Sequence, residues 1–213
     1  MKCSLVFKFK RRPTSPRPKS VHILIYHVDA GTGRHSDEDL RPLLGNVTKH
    51  KIVPDMLSKQ LTEGKAVQFT STNQSVRMGN TIRVSTLRDE PMTESHETPG
   101  NLYTILMLHP DVPTRKNPTK RSSLLMLKVN AENSNTWNVD YENIIMHFTQ
   151  PRLGQDTEAH RIVFFAFCQN KRKINPDVER TWTSNGESFN LTKFRVRNKL
   201  YLPYATNFFL YTR

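Results

Sequence analysis

The chain has 213 residues, with 32 Lys and Arg against 19 Asp and Glu, a formal net charge of +13 and 36% hydrophobic residues. This length suits one domain with an extension, and a folded chain of this size buries roughly 70% of its unfolded surface, so it needs no disulfide or metal staple. Uncharged apolar runs reach roughly eight residues, far short of the ~20 of a membrane-crossing helix, which excludes a spanning protein.

Before Asp29, the first acidic residue, stand Lys2, Lys8, Lys10, Arg11, Arg12, Arg17 and Lys19. Pro13, Pro16 and Pro18 forbid a continuous helix there. Leu5-Val6-Phe7 is too short an apolar core for a secretory signal. Three readings of this leader stand: an acid-free mitochondrial targeting segment, a basic arm laid along phosphates, or a solvated tail. Residues 20–28 are a candidate short strand, and residues 29–47, with Gly31, Gly33 and Gly45, read as linker.

Strand signals then recur. Residues 66–70 alternate, with Val67 and Phe69 on one side, and residues 81–84 place Ile82 and Val84 together. Residues 102–108, 124–127 and 162–168 are near-continuous apolar runs, the pattern of strands covered on both faces, and residues 207–211 close the chain. Turn clusters separate them: Thr98-Pro99-Gly100-Asn101, Lys116-Asn117-Pro118 and Asn185-Gly186. Residues 188–198 read as helix, with Ser188 as the cap and Phe189, Lys193, Phe194 and Arg197 at helical spacing. Trp137 and Trp182 have no interpretable context. The sum is a mainly β fold with one or two peripheral helices.

Cys3 and Cys168 are too few and too distant for a disulfide framework or a zinc site, so Cys168 reads as a small core residue. Glycosylation sequons at Asn46, Asn73 and Asn190 read as chance matches without a secretory signal. No nucleophile elbow, P-loop, metal cluster or carboxylate pair stands out, so neither catalysis nor a cofactor is expected. Basic residues continue beyond the leader as Arg115, Lys116, Lys120, Arg121 and Lys128, then Lys171, Arg172 and Lys173. After Glu187 no acid follows, while Lys193, Arg195, Arg197, Lys199 and Arg213 do. Such an excess repels itself unless a polyanion screens it, which points to nucleic acid, or failing that an anionic membrane face. No RNP, zinc-finger or helix-turn-helix signature supplies base readout. Phe208, Phe209 and Tyr211 read as core rather than as base-stacking platforms.

Several segments together resemble the phosphatidylethanolamine-binding protein family. They are His50 to Asp55, Gly79-Asn80, Asp89-Glu90-Pro91, Leu102 to Arg115 with its His109-Pro110-Asp111-Val112-Pro113, Ala159 to Phe164, and Phe189 to Phe209. The resemblance covers residues 49–213 and implies an antiparallel β-sandwich behind a basic extension and linker, residues 1–48. It also implies a small phosphoryl-binding pocket, of which His109, Asp111, His160 and Arg161 are the remnant. His109 stands where the family has Asp. Arg121-Ser122-Ser123 stands where Trp and two His are expected. The pocket is therefore read either as one that has stopped binding its ligand, the reading preferred here, or as a more positive anion site. His109 is read as a plain loop residue, and His160 and Arg161 either as ligand donors or as partners of buried carbonyls and carboxylates.

Within the family, the chain looks most like the divergent member found in the mitochondrial large ribosomal subunit. This implies a non-catalytic component of the mitochondrial matrix whose partners are ribosomal RNA and other mitochondrial ribosomal proteins, with no small-molecule ligand expected. The candidate phosphate-binding residues are Lys8, Lys10, Arg11, Arg12, Arg17, Lys19, Arg115, Lys116, Lys120, Arg121, Lys171, Arg172 and Lys173. The alternative is a soluble regulator that binds an anion or a phospholipid head group.

Overall fold

The computed structural model describes residues 4–6, 45–58, 65–66, 69–71, 74–76, 78–83, 87, 90, 94–96, 101–132, 139–153, 158–183, 185–203 and 205–212. The basic leader beyond residue 6, the candidate strand at 20–28, Asn73 and Trp137 lie outside the described residues. The strands are β1 (Ser4–Val6), β2 (Lys65–Ala66), β3 (Phe69–Ser71), β4 (Gln74–Val76), β5 (Thr81–Arg83), β6 (Glu94–His96), β7 (Tyr103–His109), β8 (Ser123–Ala131), β9 (Ile144–Met146), β10 (His160–Cys168) and β11 (Ala205–Thr212). The main sheet runs β2-β11-β10-β7-β8-β9, with β5 also on β11, while β1 pairs with β6 and β3 with β4.

The three long apolar runs become β7, β8 and β10, the centre of this sheet. Alternate residues fill opposite faces. Ile105, Met107, Ile162, Phe164 and Phe209 pack on one side with Val76, Ile82 and Leu87. Leu106, Leu108, Val163, Phe165 and Phe208 pack on the other with Val47, Ile52, Leu191 and Phe194. Both faces are dry, and for that reason the runs carry no polar alternation. Cys168 is half-buried at the margin of the first face, and Phe208, Phe209 and Tyr211 are buried core.

The mainly β architecture is as expected, with three corrections. The sheet is mixed: β2 and β5 join β11 in parallel, because the chain between them is long enough for the crossover that parallel pairing requires. Within residues 66–70, Ala66 belongs to β2 in the main sheet and Phe69 and Thr70 to β3, which pairs with β4, while Val67 lies outside the described residues. Residues 45–49, placed in the linker, form a helical turn that buries Val47.

Beyond short helical turns at residues 45–49, Ile52–Asp55 and Tyr141–Asn143, the described residues contain two helices. Helix α1 (Pro176–Thr183) escaped the sequence reading although its start is legible: the Asn175 side chain accepts the Asp177 N–H at 3.0 Å, and Pro176 opens the helix. Helix α2 (Leu191–Arg197) is shorter than expected. Ser188 has a left-handed backbone (φ +53°) and cannot cap it; that turn aims the Phe189 N–H at the Ser122 carbonyl, 2.7 Å away. Asn190 caps instead, its side chain accepting the Lys193 N–H at 2.9 Å. Glu179, 1% exposed, ties the helices together by accepting from Arg197 at 3.0 and 2.5 Å and from Asn198 at 2.9 Å. Gly186 fits where a Cβ would lie 2.8 Å from the Leu124 carbonyl oxygen, at φ +80°.

Candidate functional site

β7 ends at His109 and the neighbouring antiparallel β10 begins at His160. This brings the two rings together. His109 Nε2 lies 2.8 Å from His160 Nδ1, with ring centroids 5.0 Å apart. Both are buried, at 2% and 0% exposure, so His109 is no plain loop residue. Burial above all, and then the neighbouring His160, lower the His109 pKa to about 4; Arg161 acts in the same sense and Asp111 against it. His109 is therefore neutral near pH 7. The contact is an N–H···N bond in which one ring donates and the other accepts.

Asp111 and Arg161 lie immediately behind. Asp111 accepts from the Arg161 backbone N–H at 2.8 Å, from its Nε at 2.9 Å and from its Nη2 at 2.5 Å. Burial alone would raise the Asp111 pKa, but the hydrogen bonds and charge of Arg161 outweigh it and hold the carboxyl below its ordinary value. Arg161 Nη1 also donates to the carbonyls of His50 at 2.8 Å and Lys51 at 3.0 Å, and to the Asp55 carboxylate at 2.8 Å. Arg121 sits 3.4 Å from the other Asp55 oxygen and donates from Nε to the Pro110 carbonyl at 3.2 Å. Of the two readings of Arg161, the structure places it as the partner of buried carbonyls and carboxylates.

Two arginines face two aspartates here. With His109 neutral, replacement of an Asp by His removes a negative charge without adding a positive one. A further cation nearby is Arg115, whose Nη2 reaches the His50 carbonyl at 3.4 Å. Ser123 stands directly opposite His109 in the β7–β8 ladder. Asp55 was not singled out as a site residue by sequence, since nothing local marks it; Ser123 was noted only within the Arg121-Ser122-Ser123 stretch that stands where the family has Trp and two His.

The candidate phosphate-binding residues fall into separate groups. Lys8, Lys10, Arg11, Arg12, Arg17 and Lys19 lie outside the described residues. Lys116 pairs with Glu158 at 2.6 Å and Lys120 with Glu187 at 3.1 Å, both on the surface, where such pairs contribute little. These lie at the His109 end. Lys171, Arg172 and Lys173 form an exposed turn just past the last residue of β10, at the far end of the sheet. That end also carries a cleft of about 440 Å³ whose lining mixes Glu132, Glu142 and Asp177 with Lys173 and Arg180. Of the sequon residues, Asn46 donates to the Met78 carbonyl at 3.0 Å and Asn190 is the helix cap. No helix among the described residues is long and apolar enough to cross a membrane.

No family model matches the chain. It is 30% identical over 165 residues to Protein FLOWERING LOCUS T of Arabidopsis thaliana, a match covering 75% of this chain and 86% of that protein. Its fold is similar to the phosphatidylethanolamine-binding protein from Plasmodium vivax, with a TM-score of 0.66 at 16% identity over 80% of this chain and 97% of that one. It is equally similar to a carboxypeptidase Y inhibitor solved with its cognate proteinase, with a TM-score of 0.66 at 18% identity over 80% and 95% of the two chains.

Proposed function

Because the chain belongs to the phosphatidylethanolamine-binding protein family, we propose that it works by binding rather than by catalysis, as a regulator that takes a phosphoryl-type anion beside the His109–His160 pair. The observation that carries this reading is the pair itself, two imidazoles held 2.8 Å apart at the adjoining ends of β7 and β10. A neutral imidazole N–H, the Ser123 hydroxyl and the Arg115 guanidinium are the donors available to a small oxyanion at that end. Arg161 is occupied by Asp111 and Asp55 and serves as the rigid floor. Regulation follows from the complexes the protein forms once this site is filled or empty.

Titration of inorganic phosphate and of phosphoethanolamine into the full chain, followed by the ring resonances of His109 and His160, tests it. Saturable shifts that disappear in His160→Ala are expected. Unmoved ring resonances at millimolar ligand overturn the reading.

A second reading is supported by the charge of +13 and by the exposed turn of Lys171, Arg172 and Lys173. In it the protein is a structural partner of ribosomal RNA in the mitochondrial large subunit, held by phosphate contacts alone. Residence in the mitochondrial matrix belongs to that reading only.

A further inference from the structure

Three large apolar side chains protrude from α1, α2 and the turn that follows. Trp182 on α1 is 66% exposed, Val196 on α2 is 73% exposed, and Tyr201 in the following turn is 77% exposed. They form one strip. The Arg197 guanidinium lies 5.0 Å from the centre of the Trp182 ring and is anchored 2.5 Å from the buried Glu179, which fixes α1 against α2. Arg195 donates from Nε to the Tyr201 carbonyl at 2.9 Å, which fixes the turn against α2. Arg195 also lies 5.7 Å from the ring of Phe167, at the last turn of β10.

We infer that this strip docks the protein on an anionic lipid surface. The charge is complementary: Lys193, Arg195 and Lys199 surround the strip, and no carboxylate side chain follows Glu187 in the sequence. Among the described residues none of those three cations makes an ion pair. Of the acids of α1, Glu179 is buried and paired with Arg197, and Asp177 is paired with Arg180 at 2.6 Å. The shape also fits. Side chains exposed by two thirds or more stand out from a surface, whereas the walls of a groove made for a rigid partner are further covered. Trp and Tyr favour the head-group boundary, an aliphatic side chain between them enters the acyl edge, and cations add attraction to anionic lipids. A phosphate backbone offers no counterpart for Val196. The inference does not depend on the anion-binding reading.

The test uses the full chain in a Trp137→Phe background, where Trp182 is the sole tryptophan, with vesicles of phosphatidylcholine alone or mixed with phosphatidylserine. Co-sedimentation with the mixed vesicles and a blue shift of Trp182 emission are expected, with little of either on pure phosphatidylcholine. Trp182→Ala with Tyr201→Ala, both at exposed positions, lowers vesicle affinity by about tenfold. Val196→Asp lowers it as well. Undiminished binding by the double variant, an unshifted Trp182 emission or no association with phosphatidylserine vesicles overturns the inference. So does quenching of Trp182 by an oligonucleotide or an acidic peptide while vesicles have no effect.

Discussion

His109 shows how much one substitution changes a site when its surroundings stay rigid. It ends a strand whose every residue is buried, and its ring has no water to stabilise a charge. In the folded protein its pKa is lowered to about 4 against an ordinary 6.5. Between these values the unfolded chain binds the proton and the folded one does not. This contribution to stability is therefore complete above pH 6.5 and is lost as pH falls towards 4, a change of about 3 kcal/mol. Denaturant unfolding at a series of pH values should show this slope in the parent chain and a flatter one in His109→Gln, which keeps a hydrogen-bonding group for His160. Parallel profiles for the two chains contradict a neutral, buried His109. Neither the depressed pKa nor the pairing is legible in the residues around position 109. His109-Pro110 reads as an exposed loop, and the partner ring is 51 positions away.

Arg161 holds elements together rather than holding a ligand. One guanidinium links the start of β10 to Asp111 after β7 and to the turn at residues 50–55 on the second face of the sheet. Truncation to Ala leaves Asp111, fully buried, without its counter-ion, and removal of one partner of such a pair costs roughly 3–5 kcal/mol. Arg161→Ala should lower the unfolding free energy obtained from denaturant titration by that amount, whereas Lys116→Ala, at a surface pair, should barely change it. Equal losses in the two variants rule out the clamp. Among the elements themselves, legibility followed apolar pattern and turn chemistry. β7, β8 and β10 were evident because each face of the strand meets a core. The short strands β4 and β9 were not, having too few residues to display a period. Helix α1 had a usable signal in Asn175-Pro176 that composition alone obscured.

At the scale of the whole molecule, charge is the dominant unexplained property. The acidic partners found for the buried cations, Asp111 and Asp55 for Arg161 and Glu90 for Lys128, and Glu179 for the more exposed Arg197, are few beside 32 basic residues. A surplus of +13 remains to act at the surface. If it serves RNA, affinity for structured RNA should fall by several powers of ten between low and moderate salt, with a log–log slope of about −0.9 for each phosphate neutralised. Filter binding across a salt series and co-sedimentation with large ribosomal particles measure this. Weak, salt-insensitive binding removes the second reading and leaves the family's binding role.

The sequence by itself determined the mainly β class, the strands that lie at the centre of the sheet and the surplus of positive charge. Each of these is a property of composition or of short-range period, and water sorts apolar from polar residues in the same way wherever the chain goes. Only the tertiary structure decided which charges are spent. Arg161 and Lys173 look alike along the chain, yet one is sealed against two carboxylates and the other faces solvent beside a cleft. It also decided that His109 meets His160, and that Trp182, Val196 and Tyr201 share one strip. Those outcomes depend on long-range packing, where a group's neighbours come from distant segments and local pattern carries no record of them.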